Sequence, residues 1–161
     1  MLSLANLVHV ACHGIFEPDR PDQSGFVLMP EPSNVEVVSL RDLAHLDLTQ
    51  LRLIAITSCW SADHFILPGR WVISLPETLW RSGANSILGS LWAVHDWVAV
   101  PLMRQFYHYL SDYDRDEALR RTQLDCLHNR LAGCKSIDTS SPFFWAGYNL
   151  YGDPKVLRIG G

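Results

Sequence analysis

Cysteine is scarce in this chain: four stand in 161 residues, at positions 12, 59, 126 and 134, with no Cys-x-x-Cys pair. That excludes the dense disulfide frameworks of small secreted domains and the usual paired spacing of structural zinc ligands. Reduced thiols in a cytosol are expected. Basic charge is also in short supply. Thirteen Lys and Arg against 17 Asp and Glu give a formal charge of −4 and a pI near 5.9, and the cations are scattered. Phosphate-driven nucleic-acid binding is therefore not expected, and the partners should be protein or peptide. Long hydrophobic runs are missing as well. "ANSILGSLWAV" (84–94) falls well short of the roughly 20 apolar residues that a membrane-spanning helix needs. The opening "MLSLANLVHVAC" lacks the basic region of a secretory signal and runs straight into His13. Repeats and linkers are absent too. The expectation is one soluble, cytoplasmic domain over residues 1–161, with no membrane segment.

What the chain does have is apolar residues, 48% of the total, arranged in a recurring pattern. "LANLVHVAC" (4–12), "LRLIAITSC" (51–59) and "ANSILGSLW" (84–92) are continuous apolar runs, as expected of central strands covered on both faces of a parallel sheet. Helical spacing lies between and after them. "SLPETLWRSG" (74–83) offers Ser74 as N-cap, Glu77 three residues on and Gly83 past the end. A longer helix follows Asp96, with its regular part expected from Val100 because Pro101 fits only a first turn. A third, 115–133, opens acidic, closes basic and stops at Gly133. Residues 17–35 read as a surface loop broken by a short "GFVLM" strand or hairpin arm. The chain closes with an aromatic strand in "PFFWAGYNLY" and a Gly152-Asp153-Pro154 turn. Strands alternating with helices predict an α/β fold with a mostly parallel sheet.

Ligands of open α/β sheets sit beyond the carboxyl ends of the strands. His13 follows the first run and Cys59 ends the second, so parallel strands would bring both to one edge. A cysteine hydrolase needs a thiolate nucleophile, a histidine to carry the proton, and N–H donors for the oxyanion. Gly14, lacking a Cβ, lets the backbone approach a carbonyl, and its N–H with that of Cys59 would supply the donors. Cys59 follows His13 by 46 residues, near the roughly 50 of caspase-type signatures. The competing reading takes the histidine as a loop or core residue and the cysteine as a small buried hydrophobe. A metal site built from Cys12, His13, Cys59 and His64 is disfavoured, because adjacent strand residues point to opposite faces. No metal and no cofactor is expected. His9, His45, His95, His108 and His128 share no pattern and are taken as structural or surface residues.

Six blocks together are more specific. "VHVACHGIF", "LIAITSCWSAD", "LWRSGANSILGSLWAVHD", "LMRQFYHYL", "ALRRTQLDCL" and "PFFWAGYNLYGDP" resemble, in order and spacing, the C-terminal core of CHAT-domain proteins. These are caspase-like cysteine peptidases of the clan of caspases, separase and clostripain. The resemblance implies a caspase-like three-layer sandwich with a mostly parallel central sheet. It implies that His13 is the catalytic histidine, Cys59 the nucleophile, and Asp96 the acidic residue of an S1 pocket that takes Lys or Arg at P1. An N-cap role for Asp96 reads equally well from the residues. Trp145 is implied as a pocket wall, against buried packing as its alternative, and the Gly-Asp-Pro turn is implied as structural.

Two departures from the family pattern define a second reading. Where the family places an acidic or small polar residue, then Thr or Ser, then Gly after the nucleophile, this chain has Trp60, Ser61, Ala62 and Asp63. The family also has one or two strand–helix units upstream of the histidine-bearing strand. Without them one sheet edge is left open, to be completed by an upstream segment or a partner chain. The alternative to a cysteine endopeptidase is thus a degenerate or truncated CHAT module that binds proteins without cleaving them.

Overall fold

The computed structural model describes residues 6–15, 17, 19–31, 34–57, 64–67, 71–93, 95–134 and 136–155. In chain order the strands and helices are β1 (Leu7–Val10), β2 (His13–Ile15), β3 (Gly25–Glu31), β4 (Asn34–Ser39), α1 (Leu40–Leu43), β5 (Leu53–Ile56), β6 (His64–Leu67), β7 (Trp71–Ser74), α2 (Leu75–Arg81), β8 (Ser86–Ser90), α3 (Asp96–Leu110), α4 (Arg115–Leu127) and β9 (Tyr148–Gly152). The main sheet runs β1-β5-β8-β9, with the first three strands parallel and β9 antiparallel to β8. A three-stranded antiparallel sheet, β2-β3-β4, and a β6–β7 hairpin are separate from it.

Every residue of β5 and β8 is buried, as continuous apolar runs require when both sheet faces are covered. Alternation along β5 divides the core in two. Leu53 and Ala55, with Leu88, pack against Val98, Leu102 and Phe106 of α3 and Ala118 and Leu119 of α4. Ile54 and Ile56, with Ile87, pack against Leu40 and Leu43 of α1 and Leu79 of α2. Helices therefore cover both sides of the sheet, and the expected three-layer sandwich is present.

The helix boundaries show local chemistry at work. Ser74 caps α2, its Oγ accepting from the Glu77 N–H at 3.2 Å. α3 starts at Asp96 rather than near Val100, and Pro101 lies inside it. The missing proline N–H leaves the Trp97 carbonyl without its usual donor four residues on. The Cys134 thiol donates to that oxygen at 3.5 Å, which offsets the loss. α4 ends at Leu127, short of the expected Gly133, and has no basic residue in its last turn. Asn129 takes a left-handed conformation, φ 54°, which asparagine tolerates better than most residues. Its amide donates to Asp138 Oδ1 and accepts from the Thr139 N–H, tying the helix end to the loop beyond.

Three further strand expectations need correction. β1 was expected to be central, yet among the described strands it pairs only with β5, and Leu7 is 46% exposed. The run 4–12 does not continue to the histidine, because β1 stops at Val10 and a bend at Cys12 starts β2. The aromatic segment is not one strand. Pro142–Phe144 form a 3-10 turn, since proline supplies no N–H for a ladder, and β9 begins only at Tyr148. The "GFVLM" hairpin arm is present as β3, while the β6–β7 hairpin was not anticipated.

β2 is held by its antiparallel neighbour, with His13 opposite Val27, Gly14 opposite Phe26 and Ile15 opposite Gly25. A Cβ on Gly25 would lie 2.0 Å from the Val38 carbonyl oxygen, which is backbone and cannot swing away. Gly25→Ala is accordingly expected to destabilise the fold by about 1–3 kcal/mol through forced separation of β3 from β4. Urea denaturation checks this, and an unchanged midpoint would contradict the packing described.

Candidate active site

β1, β5 and β8 run parallel, so their carboxyl ends share one edge. In the register Val10 sits beside Ile56, and the Thr57 N–H donates to the Val10 carbonyl at 2.9 Å. His13 lies three residues beyond Val10, and Cys59 three residues beyond Ile56. The chain thus leaves the sheet toward both positions from one matched pair. His13 opens β2 with an exposed side chain, and Gly14 behind it is half-buried. Cys59 and the following Trp60 to Asp63 lie outside the described residues, as does the separation of Cys59 from His13.

The same edge carries the remaining candidates. Asp96 is exposed at the first position of α3, where the helix N-terminus favours a carboxylate. The capping position itself belongs to His95, which corrects the N-cap reading of Asp96. The phenol of Tyr148 is pushed far up, first by burial and then by the nearby Cys126 and Asp96. Trp145 follows the 3-10 turn and packs half-buried on the α3–α4 side of the core. Its indole N–H is buried with no hydrogen-bond partner among the described residues.

The loop after β8 is pinned to this turn from several directions. Trp92 Nε1 donates to the Phe143 carbonyl at 2.8 Å, Leu91 N–H to Gly147 at 3.0 Å, and Ser90 Oγ to the Trp92 carbonyl at 2.7 Å. A Cβ on Gly147 would sit 2.8 Å from the Trp92 ring, so glycine permits this approach. The turn that carries Trp145 is consequently anchored to the end of β8.

One contributor was missed by sequence reasoning. His9, taken as structural or surface, places Nε2 3.2 Å from Thr57 Oγ1, linking the strand that leads to His13 with the strand that leads to Cys59. Partial desolvation beside its neighbours lowers its pKa, although the ring keeps an exposed face. Its ring lies 5.7 Å from that of Tyr107, whose hydroxyl is buried without a partner among the described residues and pushed up to about 12. The only signal in the sequence was the interruption of an apolar run by a histidine two residues before Ala11.

Two of the described thiols, Cys126 and Cys134, are poor nucleophiles. Cys126 is pushed up to about 12, mainly by burial, and burial raises Cys134 too. Among the described residues no three His, Cys, Asp or Glu side chains gather as metal ligands, and no helix is long and apolar enough to cross a membrane.

Helices on both faces of a largely parallel sheet, with His13 beyond the end of β1, are consistent with a caspase-like architecture. The CHAT domain family model matches residues 2–153, and the chain belongs to that caspase-like family. No curated protein matches it.

Proposed function

We propose that this CHAT domain is a cysteine endopeptidase that cuts after a basic residue. The observation that carries the reading is the Val10–Ile56 register, from which His13 and Cys59 are reached in equal numbers of residues. In the reaction His13 takes the Cys59 thiol proton, and the thiolate attacks the scissile carbonyl carbon. The N–H groups of Gly14 and Cys59 hold the oxyanion. Collapse of the tetrahedral intermediate breaks the C–N bond, and His13 returns the proton to the departing amine. Water, deprotonated by His13, then hydrolyses the thioester. Asp96 pairs with the Lys or Arg side chain at P1, with Trp145 as an apolar wall beside it.

The exposed Leu7, and the side of β1 that pairs with no strand among the described residues, support a further part of the proposal, that an upstream segment or a partner chain adds a strand there. The inert, reduced thiols of Cys126 and Cys134 suit a reducing cytoplasm.

The test is turnover of short fluorogenic peptides ending in Arg or Lys, by the chain alone and with its partner. Turnover is expected to vanish in Cys59→Ala and to fall when P1 is Glu. Persistence in Cys59→Ala, or no turnover under any condition, rejects the peptidase. The second of these results leaves a CHAT module that binds without cleaving.

A further inference from the structure

At the opposite edge of the sheet, where β8 begins and β9 ends, lies an open groove of about 870 Å³. Its walls include Pro76, Glu77 and Trp80 of α2, Asn85 before β8, and Tyr151 and Asp153 at the end of β9. One strand length, about 16 Å for the five residues of β8, separates it from the edge that carries Asp96. We infer that this groove binds an arginine-bearing segment of another polypeptide, independently of the chemistry proposed for the far edge.

Three observations support that occupant. Trp80 is 60% exposed on a helix whose Pro76 and Leu79 are buried, so a large indole face stands at the groove without covering the core. Such rings attract cations and stack well on planar guanidinium groups. The described lining holds two carboxylates and no Lys or Arg. Glu77 pairs with Arg81 at 2.9 Å, but Arg81 is largely exposed, and such a surface pair is weak enough to exchange. Asp153 Oδ1 accepts from the Lys155 N–H, leaving Oδ2 without a hydrogen-bond partner among the described residues, although its charge also acts on the buried Arg115. An acidic segment would meet both carboxylates, and an apolar one would desolvate them.

The floor is rigid enough to select. Asp153 N–H donates to the Asn85 carbonyl at 3.0 Å, and Asn85 Oδ1 accepts from the buried Arg115 at 3.0 Å. The groove's breadth accommodates more than one side chain, which favours a peptide over a free amino acid. Lysine should bind less well, having no planar face to stack on the Trp80 ring.

Calorimetric titration of the Cys59→Ala/Asp96→Asn chain, which can neither consume the probe nor pair its arginine at the proposed P1 site, with Ac-Gly-Arg-Gly-NH2 tests the inference. Saturable binding is expected, weaker for the Lys peptide and undetectable for the Gln peptide. Adding Trp80→Ala should weaken binding roughly 3- to 30-fold, and Glu77→Gln should weaken it as well. Absence of binding, equal binding of the Gln peptide, or undiminished binding in Trp80→Ala would each overturn the assignment. The P1 carboxylate is absent throughout, so this test and that of the peptidase fail separately.

Discussion

His13→Ala is expected to lower turnover of an arginyl peptide by roughly 10³- to 10⁶-fold, the range seen when an essential proton carrier is removed from a nucleophilic dyad. Stability should stay within about 0.5 kcal/mol of the parent, because the side chain is exposed on β2 and its removal opens no cavity. The pairing of β2 with β3 runs through backbone groups that alanine retains. Parallel kinetics and urea melts separate the two quantities. Activity within tenfold of the parent would remove His13 from the mechanism. Activity lost together with a collapsed melt would make its role structural.

The largest stability effect is expected at Arg115. This side chain is 3% exposed, yet carries a charge at the first position of α4. Nη1 donates to Asn85 Oδ1 at 3.0 Å, to Ser86 Oγ and the Asp153 carbonyl at 3.1 Å, and to the Lys155 carbonyl. Burial pushes its pKa down, and the Asp153 carboxylate pushes it partly back. Arg115→Met, similar in length, removes the charge and leaves Asn85 Oδ1 and the Lys155 carbonyl without that donor, while the Asp153 carbonyl keeps the Ser86 hydroxyl. A loss of roughly 3–5 kcal/mol is expected, a large part of the 5–15 kcal/mol typical of a domain. The denaturation midpoint should fall with the slope unchanged. A shift under about 1 kcal/mol would mean that water reaches those acceptors.

Much of this architecture could be read from the residues, for a physical reason. β5 and β8 are buried on both faces, so their apolar runs record the sheet directly. α2 announces itself through Ser74 and Gly83, because capping is local chemistry. The failures occur where distant partners decide. Nothing near Pro101 signals that Cys134, far along the chain, will donate to Trp97 and keep α3 regular from Asp96. The end of α4 at Leu127 depends on the bonds of Asn129 to Asp138 and Thr139, which a search for glycine overlooks. β1 resembles a central strand because Val8 and Val10 do face the core, while Leu7 and His9 on its other side are exposed. For the candidate site, the position of His13 beyond the carboxyl end of β1 followed from strand order, whereas Asp96 was reached only through the family resemblance. The His9–Thr57 contact did not, since it requires the register between β1 and β5.

The Arg115 cluster also governs when the molecule can close during synthesis. Its acceptors come from Asn85 and Ser86 on one side and from Asp153 and Lys155 on the other. β9 must pair with β8 across nearly sixty intervening residues before that cluster forms. On a ribosome, β8 therefore waits with one flank unpaired until residues 148–155 have cleared the exit tunnel, and the charged arginine has no buried cradle to enter before then. Assembly of this sheet is a late event, completed from its carboxyl-terminal strand, and chaperone contact during elongation should concentrate on the waiting flank of β8.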